Sequence, residues 1–303
     1  MYDREEKVKK FKILIPLFND WRSVSKLLNE IDLQTKNWNV EVSVIIINDA
    51  SLEQRSGFNS SFKKIRSVKI LNMKENRVHQ RCIATGLKYI FKNEDFDRVI
   101  VMDADGEDRP EELGDFFRCA QENPNKTITG NRIKRSEGFV FRVLYALHKL
   151  LTFIFTGKLI KFGNFTCLPK DHVKQLIQKP YLWNSYSSSV VRTISDRVSI
   201  PSIRGARYVL PSKMNLVALV FHSFSIISVF RKLVIIRSIA FFLVYFFLIS
   251  KNISALTLFP ILLLLLFVFT ILKISMRSNM KEFDKSLDNI GSIDILASSN
   301  SGQ

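Results

Sequence analysis

Apolar and polar positions alternate along the first part of the chain in a way that predicts strands and helices in turn. Four short apolar stretches have the length of buried strands: FKILIPLF (11–18), VEVSVIII (40–47), SVKILNM (67–73) and DRVIVMD (97–103). Helical patterns follow the first, third and fourth stretches; Val24, Leu27 and Ile31, for example, recur at the spacing of one helix face. Strands that alternate with helices predict βαβ units and an α/β fold with a mostly parallel sheet.

Between residues 233 and 274 the chain is almost wholly apolar, which indicates a membrane protein. Two apolar blocks, 233–250 and 253–274, lie on either side of Lys251 and Asn252. Because about 20 helical residues cross the hydrocarbon core, we predict a transmembrane hairpin over 233–275. We expect three further regions: an α/β domain at 1–210, an amphipathic juxtamembrane helix at 211–232 and a disordered, Ser- and Asn-rich tail at 276–303.

Basic residues flank the predicted hairpin at both ends. Arg231 and Lys232 precede it, Lys273 and Arg277 follow it, and Lys251 is the one basic residue in the turn. This asymmetry predicts that both ends of the hairpin are cytoplasmic. The N-terminal residues show no signal-peptide pattern. We therefore expect an integral protein of the inner or plasma membrane, with the α/β domain and both termini in the cytoplasm.

The net charge of +17 is concentrated in the middle of the chain. Residues 1–125 hold 21 basic and 21 acidic side chains, whereas residues 126–213 hold 16 basic and 3 acidic ones. Such a basic region suits anionic lipids, phosphorylated substrates or nucleic acid. The predicted hairpin favours membrane lipids and phosphate, and we expect no nucleic-acid partner. The three cysteines are far apart and match no disulfide framework or zinc motif.

An acidic run follows the fourth predicted strand. Four acids, Asp103, Asp105, Glu107 and Asp108, fall within six consecutive positions, where like charges repel one another. The run is either a solvated turn or the site of a cation. Asp103 and Asp105 can both reach one divalent ion, with Glu107 or water completing the shell, and such oxygen ligands suit Mg²⁺ or Mn²⁺.

Polar residues also follow the other predicted strands. Pro16 and Asn19 come at the end of the first strand, and Asp49 follows the second. In a parallel sheet the carboxyl ends of the strands meet at one edge, where ligands bind. We therefore expect these residues to share a cleft with the acidic run. His79 is interpreted as a surface or packing residue, and Arg192, Arg197 and Arg204 as solvated or membrane-facing.

A set of short motifs spans nearly the whole chain. The motifs are IPLFND (15–20), INDAS (47–51), NRVHQRCIATGL (76–87), DADGEDRPEEL (103–113), GNR (130–132), Arg142, GNF (163–165), Arg207 and Ser212-Lys213. Together they resemble the family 2 glycosyltransferases of the GT-A fold. The resemblance is to the membrane-anchored polyprenyl-phosphate sugar transferases, the group of dolichol-phosphate mannosyltransferase and the bactoprenol glucosyltransferases.

The resemblance implies roles for individual residues. Nucleotide-sugar binding is implied for Pro16, Asn19, Asp49 and Asp103, and metal binding for Asp103, Asp105 and Glu107. Acceptor-phosphate binding is implied for Arg132, Arg142, Arg207 and Lys213, and catalysis for Asp105, Asp108 and Arg132. Arginine forks bind phosphate in bidentate fashion, which supports the acceptor-phosphate set independently.

The reaction implied is a single inverting displacement that transfers a hexose from a UDP- or GDP-sugar to a polyprenyl phosphate. Two alternatives stay open: a family 2 transferase with a glycan or other non-lipid acceptor, and a non-catalytic membrane scaffold. The arginines between residues 132 and 207 favour a phosphate acceptor, and the Q-x-x-R-W motif of processive synthases is absent. A homo-oligomer is compatible with the sequence.

The sequence departs from the family pattern at five positions. Asn48 replaces an Asp, Ala50 and Val78 replace glycines, Glu107 replaces a Gln and Arg109 replaces a Pro. Since Asp103, Asp105 and the arginines are kept, we expect an active enzyme, with a donor choice that these departures can alter.

Overall fold

One eight-stranded sheet organises the α/β domain in this computed structural model, which describes residues 8–55, 61–134, 139–209 and 216–298. The strand order is β7-β5-β6-β4-β1-β2-β3-β8. The central strands are β1 (Lys9–Leu17), β2 (Val40–Asn48), β3 (Ile65–Met73) and β4 (Arg98–Val101), and they run parallel to one another. The four predicted strands and their parallel arrangement are therefore confirmed.

The remaining strands extend this core on both sides. They are β5 (Thr127–Lys134), β6 (Phe162–Pro169), β7 (Arg197–Ile203) and β8 (Ile290–Ser298). Strand β6 is antiparallel to both β4 and β5, β7 is parallel to β5, and β8 is antiparallel to β3. The sheet is thus mostly parallel with antiparallel insertions.

Several of the helices cover the two faces of the sheet, and others form the apolar hairpin that follows the domain. Their bounds are α1 (Trp21–Gln34), α2 (His79–Asn93), α3 (Leu113–Glu122), α4 (Phe139–Thr156), α5 (Lys170–Ile177), α6 (Tyr186–Thr193), α7 (Leu216–Ser228), α8 (Arg231–Ile249), α9 (Ala255–Ser275) and α10 (Met280–Asp284). Single 3₁₀ turns form at Pro110–Glu112, Pro180–Trp183 and Ser286–Asn289.

The alternation of side chains along each strand explains the two helix layers. On β1, Ile13 and Ile15 pack in a cluster with residues of α1 and α3, whereas Leu14 packs in a second cluster with residues of α2, α5 and α6. Successive side chains of a strand point to opposite faces, so a sheet covered on both faces needs apolar residues at every position. This is why the predicted strands are mostly apolar and do not alternate strictly between apolar and polar residues.

Helices α8 and α9 are long and apolar enough to cross a membrane, by length and composition. They pack against each other and present mostly exposed apolar side chains. Within the pair, the Tyr245 hydroxyl donates to the Thr257 carbonyl at 3.1 Å. Arg237 of α8 donates to the carbonyls of Phe153 and Ile154 at the C-terminal end of α4, at 3.2 and 2.7 Å. The hairpin is thereby tied to the α/β domain.

A helix does precede the hairpin, but its side chains are not arranged as expected for an amphipathic helix. Helix α7 exposes the apolar residues Val217, Val220 and Phe221, while its hydroxyl residues Ser223 and Ser225 are buried. The two hydroxyls donate to carbonyls one turn earlier, at 2.9 Å each, so they are satisfied within the helix. A helix with apolar residues outside suits a lipid-facing position better than an aqueous one.

The prediction of a disordered tail over 276–303 is wrong for the residues that the structure describes there. Helix α10 places Phe283 in the core, and β8 pairs with the open edge of β3. The composition of the tail did not indicate this order, because β8 gains main-chain hydrogen bonds from β3, which do not depend on side-chain type, while Ile293 and Ile295 stay exposed. After α9 the chain returns to the same sheet and adds β8 to it. Both ends of the hairpin therefore lie next to the α/β domain.

Candidate active site

The acidic run forms a turn directly after β4, and its first carboxylate is held by two polar side chains. Oδ1 of Asp103 accepts a hydrogen bond from Nδ2 of Asn164 at 3.0 Å and lies 3.2 Å from Nε2 of His79. Asn164 comes from β6, and His79 is the first residue of α2. Burial raises the pKa of Asp103, but His79 and Asn164 outweigh burial and hold that pKa well below its usual range.

The next two acids face arginines from the segment after β7. Oδ2 of Asp105 lies 2.7 Å from Nη1 of Arg207, and the carboxylate of Glu107 is paired with Arg204. Burial, followed by the charges of Asp103 and Glu107, raises the pKa of Asp105 to about 6. The cations therefore offset only part of the repulsion among the acids.

Asp108 is the last acid of the turn, and it is buried, with 3% of the residue exposed. Its Oδ2 accepts a hydrogen bond from the main-chain N–H of Asp103 at 2.9 Å, and its Oδ1 lies 3.7 Å from Nη2 of Arg132. Burial, followed by the charge of Asp103, raises the pKa of Asp108 to about 7. These contacts allow Asp108 to orient both the turn and the guanidinium of Arg132.

Gly106 lets the segment after β7 close over the acidic turn. Its φ is +84°, and a Cβ at this position would come within 2.6 Å of the Tyr208 ring. The main-chain N–H of Tyr208 donates to the Asp105 carbonyl, and that of Gly205 donates to the Glu107 carbonyl, both at 2.9 Å. A larger residue than glycine would therefore separate Arg204 and Arg207 from the acids.

The donor set fits a hard divalent cation by chemistry, since Asp103, Asp105 and Glu107 all offer carboxylate oxygens. Within the described ranges, however, no three His, Cys, Asp or Glu side chains are grouped as a metal shell. The carboxylates of Asp105 and Glu107 are instead directed to Arg207 and Arg204. Metal binding by these acids stays a prediction, and it requires both arginines to move away from the carboxylates.

A cavity of about 370 Å³ lies beside Asn19. Its lining comes from the loops after β1 and β2, the first residues of α1 and the segment after β7: Asn19, Asp20, Trp21, Arg22, Glu53, Gln54 and Val209. Asn19 has a φ of +49°, and its Oδ1 accepts from the main-chain N–H of Leu52 at 2.8 Å, so it fixes the loop that closes the cavity. Arg207 also lies 3.6 Å from Oδ2 of Asp20, which links this cavity to the acidic turn.

Pro16 and Asp49 are buried and are not among the residues that line this cavity. Pro16 is buried in β1 opposite Ile47. Asp49 is 2% exposed, and its two carboxylate oxygens accept from the main-chain N–H groups of Arg77 and Val78, at 2.7 and 2.9 Å. Asp49 therefore shapes the loop that leads to α2, and a direct contact of Pro16 or Asp49 with a nucleotide stays a prediction.

The predicted phosphate-binding residues are only partly brought together. Arg132 of β5 packs over Gly163 and reaches the acidic turn through Asp108, and Arg207 reaches it through Asp105. Arg142 belongs to α4, but its side chain lies outside the described residues, as does the whole of Lys213.

Three residues at the centre were missed by reasoning from the sequence. His79 was interpreted as a packing or surface residue and Arg204 as solvated or membrane-facing, yet each pairs with an acid of the turn. His222 of α7 is the third: burial, followed by the charges of His79 and Arg132, lowers its pKa to about 4. The motif around residues 76–87 contained a signal for His79, but nothing local indicated Arg204 or His222.

A parallel sheet with an acidic turn at its strand ends defines a domain of the GT-A class. A sequence model of the glycosyl transferase family 2 matches residues 12–178, and the chain belongs to this family. The resemblance seen in the motifs is therefore confirmed at the level of the family.

Two similar curated proteins are undecaprenyl-phosphate sugar transferases by name. Undecaprenyl-phosphate 4-deoxy-4-formamido-L-arabinose transferase of Proteus mirabilis (strain HI4320) is 24% identical over 57% of this chain and 51% of that protein. The protein of the same name from Erwinia tasmaniensis is 21% identical over 71% of this chain and 66% of that protein. The chain thus spans between half and two thirds of the length of these relatives.

Among solved structures, mannosyl-3-phosphoglycerate synthase from Rubrobacter xylanophilus is similar in fold. The TM-score is 0.50, with 12% sequence identity over 74% of this chain and 73% of that one. This similarity agrees with the predicted GT-A fold.

Proposed function

We propose that this chain transfers a sugar from a nucleotide-diphosphate sugar to a polyprenyl phosphate at the membrane surface. The observation that carries this proposal is the position of α7: burial, followed by the charges of His79 and Arg132, lowers the pKa of its residue His222, while the exposed part of the same helix is apolar. Helix α7 also leads directly into α8, the first membrane-spanning candidate. A polyprenyl phosphate needs a charged site beside a lipid-facing one, and a neutral glycan does not.

Helix α4 supplies a second apolar surface between the acidic centre and the hairpin. It follows β5, which carries Arg132, and its C-terminal end is bound by Arg237 of α8. Exposed apolar side chains recur at helical spacing along α4: Val143, Leu147, Leu150 and Phe153. In the proposed complex the isoprenoid chain lies along this face, with its phosphate directed to Arg132.

The relatives support the class of acceptor, because both are named as undecaprenyl-phosphate transferases. Since the chain matches only part of their length, we carry over no donor sugar from them. The donor in our proposal is a UDP- or GDP-sugar, whose nucleotide would occupy the cavity beside Asn19 and whose diphosphate would lie near Arg207.

In the proposed reaction an oxygen of the acceptor phosphate attacks the anomeric carbon of the donor sugar. The new C–O bond forms as the bond to the diphosphate breaks, with inversion at that carbon, and the nucleoside diphosphate leaves. Because a phosphate monoester is already anionic at pH 7, no strong general base is needed. Positioning and charge neutralisation supply most of the rate enhancement.

The chain's own residues have distinct tasks in this proposal. Arg132 holds the acceptor phosphate, and Arg207 binds phosphate oxygens after leaving Asp105. Asp108 acts through Arg132, because its burial keeps it from the reacting atoms. Asp103, Asp105 and Glu107 would hold Mg²⁺ or Mn²⁺, which would neutralise the charge that develops on the departing diphosphate.

The orientation in our proposal is that of an integral membrane protein with the α/β domain in the cytoplasm. It is supported by the hairpin, whose two ends return to one sheet, and by the basic residues beside those ends.

The test uses the full chain in lipid nanodiscs that contain undecaprenyl phosphate, with a panel of radiolabelled UDP- and GDP-sugars. Label is followed into the organic phase, with and without EDTA. Asp105→Asn removes one charge of the acidic turn, and Asp115→Asn, on the exposed first turn of α3, is the matched control. We expect lipid labelling that EDTA and Asp105→Asn abolish and that Asp115→Asn leaves intact.

The other outcomes are informative. Release of nucleotide without labelled lipid would overturn the acceptor and favour a glycan acceptor. Binding and turnover of no donor at all would overturn the enzymatic proposal and favour a scaffold. Lipid labelling that EDTA leaves intact would overturn only the metal.

A further inference from the structure

A second cavity lies on the α/β domain and shares no residue with the acidic centre. Its volume is about 270 Å³. The lining consists of two cations, two amides and two side chains with hydroxyl groups: Gln175, Gln178, Lys179, Tyr181, Arg192 and Thr193. None of the six is acidic, so the cavity presents positive charge and neutral hydrogen-bonding groups only.

This cavity opens next to the start of the first membrane-spanning candidate. Arg192 donates to the main-chain carbonyl of Val229, two residues before α8 begins at Arg231. Tyr181, which lines the cavity, packs against an apolar cluster that includes Val229 and Phe230. The beginning of a spanning helix marks the level of the lipid headgroups, so the cavity lies at that level.

Three side chains of the cavity, Tyr181, Arg192 and Thr193, hold one another in place. The guanidinium of Arg192 lies over the Tyr181 ring, 4.3 Å from its centroid, and the Tyr181 hydroxyl is 3.0 Å from Oγ1 of Thr193. A guanidinium has five N–H donors, and the bond to Val229 uses one nitrogen of Arg192. The remaining donors of Arg192 and the ammonium of Lys179 both line the cavity and are groups of the kind that bind phosphate oxygens.

We propose that this cavity binds the phosphate headgroup of an anionic phospholipid, at a site separate from that of the acceptor phosphate. Lys179 and Arg192 bind the phosphate, and Gln175, Gln178 and Thr193 offer hydrogen bonds to a headgroup with hydroxyls, such as phosphatidylglycerol. The proposal depends on α8 entering the membrane, and it does not depend on the transfer reaction. Its failure and that of the proposed function can therefore be told apart.

The test is native mass spectrometry of the full chain in detergent, titrated with phosphatidylglycerol or phosphatidylcholine. Lys179→Gln removes one cation of the cavity, and Lys64→Gln, an exposed lysine that precedes β3, is the matched control. We expect Lys179→Gln to weaken phosphatidylglycerol binding about fivefold, as for one cation near an anionic headgroup. Arg192→Lys keeps the charge but removes the fork, so we expect a smaller loss.

A third arm adds inorganic phosphate at the same concentration as the lipid, which separates a lipid headgroup from a soluble anion. If phosphate displaces the bound lipid, the cavity is a soluble-anion site and the proposal is overturned. Equal binding of phosphatidylglycerol by the wild type and Lys179→Gln, or binding of phosphatidylcholine as tight as that of phosphatidylglycerol, overturns it as well. Lipid labelling with the radioactive donor is measured in the same preparations and reports on the transfer reaction separately.

Discussion

Nη1 of Arg207 lies 2.7 Å from Oδ2 of Asp105, although the two residues belong to distant parts of the chain. The other terminal nitrogen of the same guanidinium lies 3.6 Å from Oδ2 of Asp20, at the cavity beside Asn19. One cation therefore joins the acidic turn to the proposed nucleotide cavity. Arg207 neutralises Asp105 in the absence of substrate, and it is placed to exchange that carboxylate for a phosphate.

Arg207→Gln removes this cation and the fork that would hold a phosphate. We expect kcat/KM for lipid labelling to fall about 100-fold, as for the loss of one electrostatic stabiliser of a transition state. Arg207→Lys should recover part of the loss, because it restores the charge without the bidentate geometry. Arg118→Gln, an exposed arginine of α3, is the control. Activity of Arg207→Gln equal to that of the wild type would show that Arg207 is structural.

The raised pKa of Asp108 predicts that the stability of the folded protein depends on pH when EDTA is present. This pKa is raised to about 7, above the ordinary value, so the folded protein binds more protons than the unfolded chain between these two values. Its contribution to stability therefore falls as the pH rises through this window. Asp108→Asn removes the charge and keeps an oxygen for the N–H of Asp103. We expect the Tm of this variant to exceed that of the wild type by a margin that grows from about pH 5 to about pH 8.

The comparison is made by thermal unfolding of the two detergent-solubilised proteins at each pH. A margin that is the same at both pH values would contradict the raised pKa. A Tm of the variant below that of the wild type throughout would mean that the contact of Asp108 with Arg132 outweighs the effect of burial.

The strands of the sheet could be predicted because each carries its own apolar run. β1, β2 and β4 are buried on both faces over most or all of their length, and burial on both faces leaves a local, mostly apolar pattern in the sequence. Strand β8 could not be predicted in this way, since it is stabilised by the edge of β3, more than 200 residues earlier in the chain. Its own side chains indicate little about that pairing.

The candidate site was predictable to the same extent. The acidic turn is contiguous in the sequence, and Asp103, Asp105, Glu107 and Asp108 do lie together in the structure. The partners of these acids come from α2, β5, β6 and the segment after β7, so pairs such as Glu107 with Arg204 follow only from the fold. Asp49 shows the converse, because a residue at a strand end can be used entirely by the neighbouring loop.

Val78 is expected to strain the loop that Asp49 holds. Its φ is +70° and its ψ is 153°, a region that favours glycine, and the family pattern has glycine at this position. Val78→Gly should raise the free energy of unfolding by about 1 kcal/mol, since the relief of strain exceeds the added entropy of the unfolded chain. Chemical unfolding measures the change, and Val78→Ala, which keeps a Cβ, should gain much less. A Val78→Gly protein less stable than the wild type would mean that the loop is not strained.

Lys88 of α2 is expected to hold the C-terminal segment on the domain. It is 5% exposed, and its Nζ donates to the carbonyls of Phe283 and Asp284 at 2.9 and 3.0 Å and to Oδ1 of Asp284 at 3.1 Å. Lys88→Met leaves these oxygens without their donor. We expect the free energy of unfolding to fall by about 2 kcal/mol, the range for a buried polar group that loses its partner.

The same substitution should loosen α10 and β8 before the rest of the domain unfolds, because it removes three hydrogen bonds that join the tail to α2 and leaves the pair of Glu282 with Arg81 and the pairing of β8 with β3. Limited proteolysis with trypsin would detect this as faster cleavage after Lys285, which precedes β8. Lys92→Met, at the exposed C-terminal turn of the same helix, is the matched control and should change neither stability nor cleavage. Equal protection of the tail in Lys88→Met and the wild type would mean that pairing with β3 alone holds β8 in place, and that Lys88 serves only to fill its own buried site.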